Sequence, residues 1–361
     1  MKRKYILASI LIVGMIAGML SPAALPPPSY INVSNAVIAI DLYHGGFHTT
    51  EFDLEPLIDN LTLAGNEVVL INDTGEDKKW TWDIPDEASI LFLTQSDNNF
   101  TDAELAEIKS WMLLENRLLV VSGDSDYGGY FSPYPINSVL DYLGAIVRLD
   151  ATSISDPVDN DGASYRVAAT IRGHAEHPET DNRPGVGMVG DALTAGCDGG
   201  IILHGPCAIV ANTSAGLKDM RGISFPRFVE TLWWYGENAT SDDSDVSDGD
   251  FDLYAYDPEE FGTGFYPGVV FEDLVHTLDV HSYVIAAGEA FYTFYKYMYN
   301  MYTETGVFDG GEHYGMMFTN NIINYFAIPV ISVDDTPFAF LFAVIPLAVI
   351  GAVYALLRRK K

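Results

Sequence analysis

His44 and His48 stand four residues apart, with Asp41 before them and Glu51 after them. Imidazole nitrogens with nearby carboxylates are a donor set for zinc-type metals. The spacing needs a helix to bring both rings to one face, and Gly45-Gly46 opposes a helix. The alternative is a polar loop. His204 and His313 each lie near a glycine, where an imidazole can satisfy a local backbone group or face a pocket. Only two cysteines occur, Cys197 and Cys207. In an oxidising compartment they are expected to pair, closing a short loop worth about 2–3 kcal/mol; two separate buried thiols are the alternative. No CxxC or Cys/His zinc spacing is present. The segment 242–257 (DDSDVSDGDFDLYAYD) is dense in oxygen ligands, so calcium or another divalent cation is the one cofactor left open. It lacks the spaced DxDxDG…E loop of an EF-hand, and it reads as an exposed acidic loop.

These residues must be held by regular elements. Ala36–Leu42 (AVIAIDL) is a continuous apolar run, as in a strand buried on both faces. Thr50–Ala64 has apolar residues at threes and fours, and Gly65 is placed to end that helix. Glu67–Asn72 and Ser89–Thr94 read as the next two strands. Thr101-Asp102-Ala103-Glu104 is a capping box opening a helix to about Asn116. Arg117–Ser122 (RLLVVS) is a fourth buried strand, followed by a helix at Asn137–Leu143. Strands alternating with helices of this length predict an α/β fold with a doubly wound, mostly parallel sheet. Residues 150–200 are rich in Gly, Asp and Pro and read as irregular, acidic insertions. Gly200–Val210 holds two short strands around a turn, Val280–Ala287 a late strand, Tyr292–Tyr302 an aromatic core segment, and Phe318–Tyr325 a closing helix.

The two ends set an expected topology. Lys2, Arg3 and Lys4 precede an apolar stretch and small residues at 21–24, the pattern of a signal peptide over 1–24. A Pro-rich lead-in follows at 25–35. Residues 327–336 read as a stalk. Pro337–Leu357 carries no charge and is long enough for a transmembrane helix, and the basic tail 358–361 favours the cytoplasmic side. The expectation is a single-pass cell-membrane protein whose large domain, 36–326, is extracellular and meets its ligand close to the bilayer. All 50 acidic residues lie between the apolar ends, against 12 basic ones, so that region carries a formal charge of −38. Such a surface repels nucleic acid and anionic headgroups. Sequons begin at Asn32, Asn60, Asn72, Asn99, Asn212 and Asn238, as in a glycoprotein ectodomain.

A family likeness rests on HGGF after the first strand, on FTDAELAEIKSWM…RLLVVSGD, on the His204–Pro206 turn, and on GEAF…EHYGMMFTNNIINYF. Over residues 36–326 the chain resembles class I glutamine amidotransferase-like (flavodoxin-like) domains. The closest branch in pattern is the non-catalytic one of prokaryotic surface proteins and intraflagellar-transport-type proteins. The resemblance implies an elbow at Ser122–Gly128, where catalytic members place a cysteine. Here Ser125 stands there between Asp124 and Asp126, and those carboxylates oppose an oxyanion. His177-Pro178-Glu179 matches the family's His/Glu pair in type but lies in an irregular segment, far from the closing helix. The resemblance also implies that His44, Ser125, His204 and His313 converge at one sheet edge, with His48, Asp124, Asp126 and Glu289 as further rim residues. The expectation is a catalytically silent binding or scaffold domain for a protein or small ligand. The alternatives are a surface-anchored hydrolase using Ser125, with Asp124 and His313, or a metal at His44/His48, and a structural coat or adhesion component.

Overall fold

The computed structural model describes residues 30–330 apart from 46–49, 72–81, 97, 126–132, 172–186, 198, 222–227, 243–255 and 257–260. The expected signal peptide, transmembrane helix and basic tail lie outside the described residues, as do His48, Asn72, Asp126 and His177-Pro178-Glu179. Among the described residues no helix is long and apolar enough to cross a membrane.

Strand β1 (Val37–Asp41) leads to helix α1 (Glu51–Leu63), then to β2 (Glu67–Ile71) and β3 (Ala88–Leu93). Helix α2 (Asp102–Met112), β4 (Leu118–Ser122) and helix α3 (Tyr134–Leu143) follow. Both α1 and α2 open with full capping boxes, at Thr50/Asp53 and Thr101/Glu104. Each cap residue is worth about 1 kcal/mol. Helix α1 ends at Gly65, whose φ of 85° is the left-handed conformation that glycine adopts without strain. The strand order β2-β1-β3-β4 is parallel throughout, so the chain reverses its winding between β1 and β3. Ligands of such sheets gather beyond the carboxyl ends of the strands near that switch.

The rest of the chain departs from the expected parallel pattern. Short strands β5 (Val147–Leu149) and β6 (Ser153–Ser155) come first, then β7 (Arg166–Thr170), helix α4 (Gly187–Leu193) and β8 (Gly200–His204). Next are β9 (Ile209–Thr213), β10 (Gly216–Lys218), β11 (Val229–Tyr235), β12 (Thr240–Asp242) and β13 (Pro267–Asp273). A short helix α5 (Val275–Leu278), β14 (Tyr283–Ala287) and the closing helix α6 (Gly315–Phe326) complete the fold. Strand β14 pairs parallel to β4, and β13, β11, β7 and β8 then extend the sheet antiparallel. The nine-stranded sheet is thus a parallel half joined to an antiparallel half, with seven strands pointing one way. Register shifts in β11 explain why that half shows no clean alternation in sequence.

Alternate residues of the parallel strands face two separate cores. Ile38, Ile40, Ile90, Phe92 and Val120 pack with Leu54, Leu57 and Leu61 of α1 and with Phe318 and Ile322 of α6. On the other face Leu91, Leu93, Leu119 and Val121 pack with Ile108 and Trp111 of α2, Val139 and Leu140 of α3, and the small sheet β10-β9-β5. Burying each large aliphatic or aromatic side chain is worth about 1.5–3 kcal/mol.

Two expectations are corrected here. Cys197 and Cys207 are both free and buried, and they belong to the two different cores on opposite faces of the sheet, so they form no disulfide. The acidic segment 242–257 is not exposed throughout: Tyr256 is fully buried, with its ring edge against Phe261 and Tyr266 and its hydroxyl donating to the Ile209 carbonyl. An aromatic ring that can leave water outweighs the polarity of its neighbours. The segments beside the described domain are also docked rather than free. Asn32 N donates to Asn324 of α6, Pro329 bridges to Ala36, and Val330 N donates to the Asn35 carbonyl. The chain therefore leaves the domain at the amino end of β1, opposite the carboxyl ends of the parallel strands.

Candidate functional site

Two clusters of buried polar groups occupy the carboxyl ends of the parallel strands. The first forms where β1 ends. One oxygen of Asp41 accepts from Tyr43 N (3.0 Å) and Trp82 Nε1 (3.3 Å), and the other pairs with His44 Nδ1 at 2.9 Å. The His44 ring stacks on Phe100 with centroids 3.9 Å apart and meets the Trp82 edge at 5.7 Å. Its Nε2 faces Glu104 at 3.6 Å. His44 is 1% exposed, so it is an internal partner of Asp41 and Glu104, not a rim or metal residue as expected. His44 thus fills the space just beyond β1.

The second cluster forms where β4 and β14 end side by side. Gly123 N donates to the Ala287 carbonyl, which extends their ladder by one residue. Asp124 follows; one oxygen accepts from Ser125 N (2.6 Å) and the other from Gln95 Nε2 (2.7 Å) beyond β3. Glu289 follows β14; Oε1 accepts from Ala290 N at 2.7 Å, and Oε2 has no hydrogen-bond partner. Gln95 Oε1 is likewise unpartnered. Both carboxyl groups are held well above the usual carboxylate range. For each, burial is the largest cause; for Glu289 the second is the charge of Asp124 beside it. The two carboxyl groups act on each other's titration, so the pair holds on to a proton more tightly than a free carboxyl does.

Gly288 makes this approach possible. A Cβ there would stand 2.0 Å from the Cys207 carbonyl oxygen and 2.5 Å from the Tyr235 hydroxyl, so only glycine fits between β14 and the turn after β8. That turn is the His204–Pro206 segment, tied to the elbow by Ser125 N donating to the Gly205 carbonyl at 2.6 Å. His204 is half-buried at the rim, its ring edge 5.0 Å from Tyr295 and 5.2 Å from Tyr165. The Tyr295 hydroxyl is pushed up to about 12, first by burial and then by the charges of Glu289 and Asp124. The Cys207 thiol is pushed up by burial and then by Asp150, Asp124 and Glu289, so it is a buried thiol rather than a nucleophile.

The structure places Asp124, Ser125 and Glu289 beside the His204–Pro206 turn at the carboxyl ends of β4 and β14. It does not bring His44 or His313 to them. His313 anchors the start of α6: Nε2 donates to the Tyr297 carbonyl at 2.9 Å and Nδ1 accepts from Gly315 N at 3.3 Å. Burial lowers its pKa to about 4, so the ring is neutral. Among the described residues no histidine is a hydrogen-bond partner of Ser125, and no group of three His, Cys, Asp or Glu is placed to hold a metal. Gln95 and Tyr295 were missed from sequence. A polar residue just past a buried strand was the signal for Gln95. The aromatic run around Tyr295 offered none that separated it from core.

Of the sequons, Asn32 and Asn99 are exposed. Asn60 is half-buried and its Nδ2 donates to the Tyr299 hydroxyl at 3.0 Å. Asn212 and Asn238 are also half-buried, and Asn212 Nδ2 donates to Asp141 at 3.3 Å.

No protein-family profile matches the sequence, and no characterised protein matches it. The fold is similar to a solved structure described as "mmIFT52 N-terminal domain". The TM-score is 0.44 and the identity 10%, covering 82% of this chain and 100% of that one. A likeness of that size says nothing about function.

Proposed function

We propose that this chain is a membrane-anchored outer-surface binding protein with a catalytically silent amidotransferase-like domain, and that its ligand presents a positively charged nitrogen to Asp124 and Glu289. The support for silence is the elbow after β4, where Ser125 has a carboxylate neighbour and no histidine partner among the described residues. The observation that carries the ligand class is the pair of unpartnered acceptor oxygens, Glu289 Oε2 and Gln95 Oε1, around two buried carboxyl groups. The unpartnered oxygens accept once the pair has released its proton, so an ammonium or guanidinium group then satisfies them and an anion does not. The support for the anchor is the uncharged run 337–357 followed by four basic residues. The chain leaves the described domain at the amino end of β1, at the opposite end of the parallel strands from Asp124 and Glu289.

Thermal-shift titration of the full-length protein in detergent tests this, using alkylamines and guanidinium compounds beside matched neutral amides and carboxylates. The cations are expected to raise the midpoint, more at pH 8 than at pH 5, where protons compete for the pair. The Glu289→Gln variant is expected to lose the effect. Equal stabilisation by the neutral amides, or labelling of Ser125 by a serine-reactive phosphonate, overturns the reading. The tightly held proton also favours a second reading, acid–base hydrolysis by the carboxyl pair. Turnover of generic esters or peptides that is lost in Asp124→Asn would select it.

A further inference from the structure

The nine-stranded sheet ends in two edge strands, β8 and β2, and they are finished differently. Strand β8 is buried along 200–203, and the Gly200 carbonyl accepts from Tyr314 N ahead of α6. In β2, Glu67 is exposed and Val68, Val69 and Leu70 are half-buried. Its register with β1 is regular, and it carries no proline, lysine or bulge of the kind that blunts an open edge. Glu67 N donates to the Ala36 carbonyl, and the Ile71 carbonyl accepts from Leu42 N. The backbone groups of 67, 69 and 71 therefore face β1, and those of Val68 and Leu70 face outward. Among the described residues no backbone hydrogen bond reaches that outer side. Beside this edge lies a cavity of about 580 Å³, on the face of the sheet that carries Val69. Val37, Val69 and Pro85 give it apolar walls, and the exposed Glu67 and Glu87 give it acidic ones. Neither glutamate forms an ion pair among the described residues. Arg117 feels the charge of Glu87, but its guanidinium donates to the Asp86 carbonyl.

We propose that the outer edge of β2 and the cavity beside it bind an extended, basic segment of another protein by strand addition. Val68 and Leu70 supply two N–H donors and two carbonyl acceptors to the added strand. Every second side chain of that strand lies on the same face as Glu67 and Val69, over the cavity. An apolar side chain there packs against Val37, Val69 and Pro85. Basic side chains two residues to either side of it meet Glu67 and Glu87. A second copy of this chain fits less well, because a formal charge of −31 sets two copies against each other.

The test uses the full-length protein in detergent at about 150 mM salt, where diffuse attraction to the acidic surface is screened. The probe is the labelled peptide Thr-Lys-Thr-Val-Thr-Lys-Thr with both ends capped, followed by fluorescence anisotropy. Saturable binding of one peptide per chain is expected. The same peptide with all its backbone amides methylated keeps its charge and loses its donors, and is expected to bind at least about tenfold more weakly. Glu67→Lys changes an exposed side chain, so the variant is expected to stay folded and to bind about tenfold more weakly. Val68→Pro removes an outward N–H that β1 does not use, and is expected to abolish binding. Glu289→Gln is expected to bind the peptide as the parent does, which separates this edge from the Asp124–Glu289 pocket. Absence of saturable binding overturns the proposal, as does equal binding of the methylated peptide or loss of binding in Glu289→Gln. A concentration-dependent dimer that Val68→Pro dissolves also overturns it, because a second copy then holds the edge.

Discussion

Asp41 and the Asp124–Glu289 pair occupy equivalent places, just past the carboxyl ends of parallel strands, and all three carboxyl groups are buried. Their surroundings differ. Asp41 meets an imidazole, an indole N–H and a backbone N–H, with Phe100 and Trp82 closing over His44. Asp124 and Glu289 meet each other, and two acceptor oxygens beside them are left without donors. Burial alone therefore does not mark a site. A carboxylate supplied with donors is structural, and one left facing another acceptor stores free energy that a cationic ligand can release.

Removing a donor from the satisfied Asp41 carboxylate should have the largest effect. His44→Ala leaves the Asp41 carboxylate buried beside a cavity, and a loss of about 3–5 kcal/mol is expected in urea unfolding of the protein. A loss below about 1 kcal/mol would mean that His44 is not the partner that makes burial of Asp41 tolerable.

The opposite sign is expected at the second cluster. Glu289→Gln removes one of two facing acids and supplies a donor to Asp124. The variant should gain about 1–3 kcal/mol at pH 8 while losing the cationic ligand. At pH 4, where both carboxyls of the parent are protonated, the gain should vanish. Equal gains at both pH values would show that the substitution acts through packing and not through charge.

A smaller effect should appear in the pH dependence of the unsubstituted protein. Buried Glu272 is raised to about 7, by burial against the opposing backbone donors Val147 and Ile146, and Glu230 is raised to about 7, also by burial first. A carboxyl whose folded value is raised binds a proton that the unfolded chain has already released. Its contribution is fully present below about 4.5, falls as pH rises toward 7, and is lost above it. Stability should therefore decline from pH 5 to pH 8, and part of that slope should persist in Glu289→Gln because Glu272 and Glu230 remain. A flat profile in the parent would contradict the burial of all these acids. The smallest effect is expected for Ser125→Ala, within about 0.5 kcal/mol and with no change in cation binding. A large loss of binding there would make the serine a ligand contact.

The parallel half of the fold was readable because its signals are local. AVIAIDL, SILFLT and RLLVVS are continuous apolar runs, and a strand covered on both faces must be apolar at every position. Thr101 and Glu104 announced α2 through a capping box that the structure contains. The antiparallel half was not readable. Strand β11 carries bulges, and β7 and β8 each owe their place in the sheet to partners far along the chain. The same limit applies to the cysteines. Only nine residues separate Cys197 from Cys207, but the sheet lies between them.

The candidate site divides in the same way. Sequence supplied its members in Asp124, Ser125, His204 and Glu289, because each follows a strand or turn legible on its own. It also put forward His44 and His313, which have the same residue type and similar settings. Only the tertiary structure separated them, by filling the space around His44 with Phe100 and Trp82 and by fixing both His313 nitrogens to backbone. The role of a titratable group depends on how many donors, charges and waters reach it. Residue type and strand periodicity are encoded locally. The meeting of Asp124 with Glu289 depends on β4 and β14 lying side by side, with Gly288 small enough to let the chain through.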